Sequence, residues 1–155
     1  MRHVANFLRR WPRTSAALGF GAAGTALPAL WYGPVVLHAR GMLPLVLFIV
    51  LPGISAAASG FALGKSLLGP ARMRRPGIAA LRGAGIASVG MLLFAPLFAI
   101  LYAWTSPPTE HWSIPGLTVL VLVGSVLGVW GRVAATGAAV GWALYHLALH
   151  DPAAD

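Results

Sequence analysis

The sequence predicts an all-α integral membrane protein with about five transmembrane helices in a single domain, residues 1–155. Charged residues make up only 9% of the chain and hydrophobic residues 58%, whereas about 25% of the residues of a soluble domain are charged. The apolar residues also fall into stretches of membrane-crossing length, separated by short segments that hold most of the Arg and Lys residues. These two observations argue against an ordinary soluble domain.

The apolar stretches define the expected spans. A helix needs about 20 apolar residues to cross the ~30 Å hydrocarbon core of a bilayer. The candidate stretches are residues 15–37, 42–64, 83–104, 114–131 and 133–149. Four Arg residues precede the first stretch, as in a secretory signal, but a signal core has only about 7–15 apolar residues. Because the first stretch has 23 residues, we interpret it as a retained transmembrane helix.

The last two spans depend on one charged residue. Residues 114–149 would form a single helix of ~54 Å, which is too long for one crossing. Arg132 lies near the middle of this stretch, and a charge at mid-bilayer costs about 3 kcal/mol. A tight turn near Gly131–Arg132 would remove that cost and give five spans. The alternative is a total of four helices, in which the C-terminal half of this stretch is amphipathic or lies outside the membrane.

An internal similarity supports the five-span prediction. Basic residues followed by proline open two parts of the chain, and glycine followed by a basic residue closes two spans, at a spacing of roughly 65 residues. These segments are Arg9-Arg10-Trp11-Pro12 with Arg74-Arg75-Pro76, and Gly64-Lys65 with Gly131-Arg132. The sequence therefore predicts two similar hairpins followed by one C-terminal helix.

The distribution of basic residues predicts the orientation. With five spans, ten of the eleven Lys and Arg residues lie on the side of the N-terminus, and Arg40 alone lies on the other side. Short loops rich in Lys and Arg face the cytoplasm. We therefore expect a bacterial-type inner (plasma) membrane protein with a cytoplasmic N-terminus and a periplasmic or extracellular C-terminus. The net charge of +8 belongs to these loops, so we expect no nucleic-acid binding.

Aromatic residues near the predicted span ends are typical of the belts that form at membrane interfaces. The expected outer belt contains Trp31, Tyr32, Tyr102, Trp104, Trp112 and Tyr145, and the expected inner belt contains Trp11 and Trp130.

Small residues four positions apart recur in the predicted spans. Such pairs let two helix backbones approach closely, which is how helices associate in lipid. The pairs proposed for helix packing are Gly60 with Gly64, Gly124 with Gly128, and Gly137 with Gly141. They predict contacts within the chain, with other membrane subunits or with a second copy.

Histidines offer the one candidate for site chemistry, since the chain contains no cysteine. With five spans, His38, His111, His146 and His150 all map to the outer side. His146 and His150 are four residues apart and would share a helix face, a spacing used by metal ligands. Imidazole binds zinc, copper and haem iron, so these four histidines are a candidate metal or haem site.

No nucleophile-elbow, phosphate-loop, dinucleotide-binding or zinc-protease motif is present in the sequence. We therefore expect a protein that is not an enzyme, surrounded by the lipid bilayer. The leading hypothesis is an accessory or helix-packing subunit of a membrane assembly, with other subunits or a second copy as partner. One alternative is a small oligomeric solute or ion transporter or channel, since Pro28 and Pro96 interrupt two spans at similar depths. The other is an outer-side metal or haem protein.

Overall fold

The computed structural model describes residues 6–8, 10–39, 41–68, 75–106 and 113–149, and every regular element in these ranges is a helix. Helix α1 is Pro12–His38, and α2 consists of Leu43–Leu45, the wide π-helical turn Val46–Val50 and Leu51–Leu68. Helices α3, α4 and α5 are Pro76–Thr105, Ile114–Gly128 and Trp130–Leu149. The predicted all-α class is confirmed.

Two of these helices are long and apolar enough to cross a membrane, namely Leu43–Ser66 in α2 and Pro76–Thr105. A third candidate is the pair formed by α4 and α5, provided that the pair makes a single bent crossing. Helix α1 has 27 residues but is not among these candidates. The described part of the chain therefore has two to three helices suited to a membrane by length and composition.

Proline and serine fix where helices α3 and α4 begin. Arg75 is extended, and Pro76 follows it as the first residue of α3, where a missing N–H removes no helical hydrogen bond. Helix α4 begins after Ser113, whose Oγ accepts a hydrogen bond from Gly116 N at 3.3 Å. Such a cap satisfies one of the N–H groups that a helix start leaves without a partner.

Helices α1 and α2 pack as an antiparallel hairpin through small residues. An added Cβ at Gly60 would lie 2.8 Å from Ala16 O, and one at Gly64 would lie 3.0 Å from Arg13 Cα. Because Gly64 meets an earlier part of α1 than Gly60 does, the two helices run in opposite directions. The backbones approach this closely only because these positions carry no side chain.

Helices α3 and α5 form a second antiparallel pair through glycines. An added Cβ at Gly83 would overlap the Gly137 carbonyl oxygen and lie 2.9 Å from Gly141 Cα. An added Cβ at Gly141 would overlap Ala79 O in turn. Helix α5 therefore packs against the N-terminal half of α3. A simple succession of hairpins would have paired α5 with α4 instead.

Helix α5 ends beside the start of α1. Leu144 belongs to the same buried cluster as Leu8 and Ala16, and its Cδ1 would lie 3.6 Å from a Cβ added at Gly19. We call the end of the bundle where α1 begins the proximal end, and the end where His38 terminates α1 the distal end. The five-span prediction placed the ends of α1 and α5 so that His38 and His146 lie on one side, and the structure contradicts this arrangement.

The break between α4 and α5 lies at Val129, whose backbone leaves the helical conformation (φ −129°, ψ −11°). The chain changes direction there by 71°, which is a bend and falls well short of a hairpin reversal. The break predicted near Gly131–Arg132 therefore occurs about two residues earlier, and its 71° angle falls short of the expected reversal. Helix α4 packs on α3, and α5 continues along the N-terminal half of α3, so the two helices act together as one broken helix.

Trp130 anchors this break to the middle of α3. Its indole Nε1 donates a hydrogen bond to Ser88 Oγ at 3.1 Å, and Ser88 lies ~18 Å along α3 from Pro76 at 1.5 Å per residue. Trp130, expected in an inner aromatic belt, therefore lies beside the middle of α3. Tyr145, expected in the outer belt, follows Leu144 at the proximal end.

Candidate ligand cavity

A cavity of about 440 Å³ lies between the helices, and all five helices contribute to its walls. This volume falls within the range of about 300–1,000 Å³ that is usual for small-ligand pockets. The lining residues include Gly24, Trp31, Phe48, Ala56, Gly90, Met91, Phe98, Gly124, Ser125, Gly128 and Thr136.

The distal part of the cavity is aromatic. Tyr32 and Phe48 rings have centroids 5.4 Å apart, and Phe48 and Phe98 rings have centroids 5.9 Å apart. Phe98 in turn stacks on Tyr102 with an interplanar angle of 7°. This aromatic ladder joins α1, α2 and α3 and gives the distal half of the bundle a rigid wall.

The proximal part of the cavity narrows where the helices come close together. Gly24 faces Ala56, with 2.7 Å between an added Cβ and the Ala56 Cβ, and an added Cβ at Gly90 would lie 3.2 Å from Ala56 Cα. Below this level the glycine contacts of Gly60, Gly64, Gly83 and Gly137 bring the backbones together. The helices are therefore tightly packed at the proximal end of the bundle and are further apart toward its distal end.

Breaks in the helices explain why the bundle opens distally. Pro28 and Pro34 lie inside α1 and Pro96 inside α3, and proline removes a backbone hydrogen bond and bends a helix. In α2 the π-helical turn Val46–Val50 directly precedes Leu51 and Pro52. The Pro52 ring crowds the carbonyl four residues earlier, and a wider turn relieves this.

The cavity opens sideways between α1 and α4. Helix α4 packs on α3, whereas α1 packs mainly on α2, so α1 and α4 are not close packing partners. Gly124 and Gly128 line the cavity, yet an added Cβ at either position would meet no atom within 4 Å. Both residues are exposed. A ligand can therefore reach the cavity from the side of the bundle.

Arg132 lies beside the cavity, against one of its lining residues. Its guanidinium carbon is 5.1 Å from the centroid of the Trp31 ring, and Trp31 lines the cavity. A cation over an indole face is stabilised by about 0.5–2 kcal/mol, depending on how far it is removed from water. Thr136, which also lines the cavity, donates its hydroxyl to Arg132 O at 2.8 Å.

The walls suit an apolar ligand with few directional contacts. Polar groups on the lining residues are limited to the Trp31 indole, the Tyr32 phenol and the hydroxyls of Ser125 and Thr136. No Asp, Glu, His or Lys is among the residues described as lining the cavity. The arrangement offers shape and apolar contact, and the positive charge of Arg132 lies just outside.

The structure does not bring His38 and His146 together. His38 ends α1 at the distal end and its Nδ1 is 2.6 Å from Pro34 O, an interaction that caps the helix. His146 lies at the proximal end of α5 against Trp142, with ring centroids 4.2 Å apart. The two differ by ~28 Å along α1, the rise from Gly19 to His38. His111 and His150 lie outside the described residues, within which no group of three potential metal ligands occurs.

The six predicted packing glycines divide into two sets. Gly60, Gly64, Gly137 and Gly141 lie at close helix contacts inside the chain. Gly124 and Gly128 make no such contact and line the cavity. The sequence therefore identified glycines with structural roles, but it did not separate those that pack helices from those that leave a space open.

Sequence reasoning missed the cavity, and with it Trp31 and Arg132. The proline positions 28, 52 and 96 were the available signal, because breaks in three neighbouring helices at similar depth predict that the helices separate there. The spacing of residues along the sequence does not show which face of a helix packs on which neighbouring helix.

No protein-family model, curated protein or solved structure matches the chain.

Proposed function

We propose that the chain is a multi-pass membrane protein, not an enzyme, that binds the acyl chain of a membrane phospholipid in the cavity between its helices. The observation that carries this proposal is the apolar cavity of about 440 Å³ with its sideways opening between α1 and α4. A sideways opening in a membrane faces lipid, so the most abundant apolar chains around the protein lie directly at the entrance.

An empty cavity of this size would weaken the protein. The side chains that line an unfilled space between helices lack the contacts they would make in a filled one, and empty space in a protein core costs about 24 cal/mol per Å³. A lipid chain gains little by leaving other lipid tails, since these are as apolar as the cavity walls. Its entry instead restores the dispersion contacts that the separated helices lack.

We further propose that the chain crosses the membrane four times. Helices α1, α2 and α3 each make one crossing, and α4 and α5 together make the fourth as one broken helix. The 71° bend at Val129 and the contact of Leu144 with the start of α1 support this arrangement over five crossings. The N-terminus and the end of α5 then share a side, which carries nine of the eleven basic residues, all except Arg40 and Arg132. The positive-inside rule makes that side cytoplasmic, in a bacterial-type inner membrane.

Two other functions expected from the sequence have less support. An accessory subunit was inferred from glycine pairs free to contact partners, but Gly60, Gly64, Gly137 and Gly141 are used inside the chain. Transport of a small apolar solute remains a second candidate, favoured by the same cavity. Its walls present no charged group for an ion among the described lining residues.

Retention of lipid by the purified protein tests the proposal. Protein released from lipid nanodiscs into the gas phase should carry one phospholipid, detected by native mass spectrometry. Gly124→Phe should lose most of this lipid, because Gly124 lines the cavity and an added Cβ there meets no atom within 4 Å, which leaves room for the ring at the cavity wall. Gly85→Phe is the matched control, since Gly85 is exposed, has no atom within 4 Å of an added Cβ, and does not line the cavity.

Two results would contradict the proposal. One is a wild-type protein that retains no lipid under gentle release. The other is equal retention in Gly124→Phe and Gly85→Phe, which would mean that the retained lipid lies on the outer surface.

A further inference from the structure

We propose that helix α4 is a lid over the cavity, which turns about the break at Val129 and closes toward α1 when the lipid leaves. This inference rests on the proposed function, because the bound acyl chain is what keeps the lid in its outward position. It goes further by assigning the control of lipid entry and release to one helix and one break.

Helices α4 and α5 are held very differently on the two sides of the break. Helix α5 is fixed, because Gly137 and Gly141 lie against the backbone of α3 at Gly83 and Ala79. Of the 15 residues of α4, all of which the structure describes, only Leu117 is buried. Segments with few buried contacts move at the lowest free-energy cost. Helix α4 can therefore turn by repacking one buried side chain while α5 stays in place.

Trp130 gives the lid a fixed pivot. The backbone leaves the helical conformation at Val129 (φ −129°, ψ −11°), and residues at the ends of helices absorb the dihedral changes of hinge motions. Trp130 follows directly and is tied to Ser88 of α3 by the 3.1 Å hydrogen bond from its indole Nε1. Because the chain is anchored immediately after the break, a change in the dihedral angles of Val129 moves α4 and leaves α5 where it is.

Open space lies on the side of α4 that forms the cavity wall. Val121, Gly124, Ser125 and Gly128 line the cavity, and a Cβ added at Gly124 or Gly128 would meet no atom within 4 Å. Glycine positions also let one helix approach another closely. An inward movement of α4 is therefore unobstructed at these two positions.

The lining atoms supply the driving force for closure. Carbon atoms in contact lie about 3.5–4 Å apart, so a chain between two walls holds them about 4 Å further apart than direct contact does. When the chain leaves, the walls regain their contacts if α4 moves inward by that distance. Leu120 lies nine residues, or ~14 Å, before Val129, so a rotation of about 17° at the break moves it by ~4 Å. This rotation is small beside the 71° bend already present.

Distances between spin labels test the lid. The chain has no cysteine, so Leu30→Cys in α1 with Leu120→Cys in α4 gives one label pair at exposed positions. Double electron–electron resonance compares protein in phospholipid nanodiscs with the same protein after delipidation in detergent, and native mass spectrometry counts the bound phospholipid. This pair should come about 4 Å closer on loss of the lipid. The control pair Leu18→Cys with Leu81→Cys, also exposed, joins α1 to α3 and should keep its distance.

Two further variants separate the position of the lid from the content of lipid. Gly124→Phe should carry little lipid and yet keep the longer distance between labels at positions 30 and 120, because its ring occupies the space into which α4 would move. Gly85→Phe, which lies outside the cavity lining, should show the same shortening as the wild type.

The outcomes distinguish the lid from the proposed function. An unchanged distance between positions 30 and 120 in a wild type that has lost its lipid overturns the lid and leaves lipid binding intact. An equal change in the control pair also overturns the lid, because the whole bundle then rearranges. Full shortening in Gly124→Phe overturns the inward movement of α4. A wild type that retains no lipid in nanodiscs overturns the proposed function itself.

Discussion

The Arg132 guanidinium lies over the Trp31 indole ring, 5.1 Å from its centroid, which joins the start of α5 to the distal part of α1. A five-span arrangement with a turn at Arg132 would place these two residues on opposite sides of the membrane. Their contact instead locates the break between α4 and α5 within the bundle, beside the cavity. The path of the C-terminal region and the proposed lipid site therefore depend on the same pair of residues.

Thiol labelling should report the N-terminal region and the end of α5 on one side of the membrane. The chain has no cysteine, so Asn6→Cys, Ser113→Cys and Leu147→Cys each introduce a single thiol at an exposed position. A membrane-impermeant reagent added to intact cells should label only Ser113→Cys, because four crossings put residues 6 and 147 inside. Labelling of Leu147→Cys together with Ser113→Cys would restore the five-crossing arrangement.

The glycine contact between α3 and α5 should be essential to stability. Gly83→Leu should destabilise the protein by at least about 3 kcal/mol, because overpacking of this kind usually costs 1–3 kcal/mol and here the side chain meets backbone atoms of Gly137. Unfolding in mixed micelles with increasing denaturing detergent measures the change. Gly85→Leu, two residues along the same helix, faces open space and should stay near the wild type. Equal stability of the two variants would refute the contact.

How much the sequence predicted differs from one element to the next. The hairpin of α1 and α2 was predictable, because Gly60 and Gly64 are spaced for close backbone contact and the connection is short. The path after α4 was not. The cost of burying a charge suggested a turn at Arg132. In the structure the helix only bends near this residue, and the Arg132 side chain lies over the Trp31 ring. Which distant residue receives such a side chain depends on tertiary packing, which spacing along the chain does not encode.

The cavity was unpredictable for a related reason. Gly124 and Gly128 have the same spacing as Gly137 and Gly141, yet only the second pair meets another helix. A small-residue pair predicts that a close approach is permitted. Whether a helix actually makes that approach depends on the bends at other positions, such as Val129.

Two glycines outside the helix contacts should respond to alanine in opposite directions. Gly41 has φ +101°, so Gly41→Ala should destabilise the protein by about 1–2 kcal/mol, although no atom lies within 4 Å of the added Cβ. Gly85 lies inside α3, also with no atom within 4 Å of an added Cβ, and Gly85→Ala should stabilise by about 0.5–1 kcal/mol. The same detergent titration measures both. A loss of stability in both variants would contradict the backbone assignment.

Photocrosslinking tests most directly the central claim that a phospholipid acyl chain lies inside the bundle. Wild-type protein in nanodiscs is illuminated with a phospholipid that carries a diazirine on its acyl chain, and mass spectrometry locates the modified residues. We predict modification of cavity-lining residues that bilayer lipid does not reach, above all Met91, which is 8% exposed. Gly124→Phe should abolish this modification and leave that of the exposed Leu97 and Leu127 unchanged. Modification confined to such exposed residues in the wild type would contradict the claim.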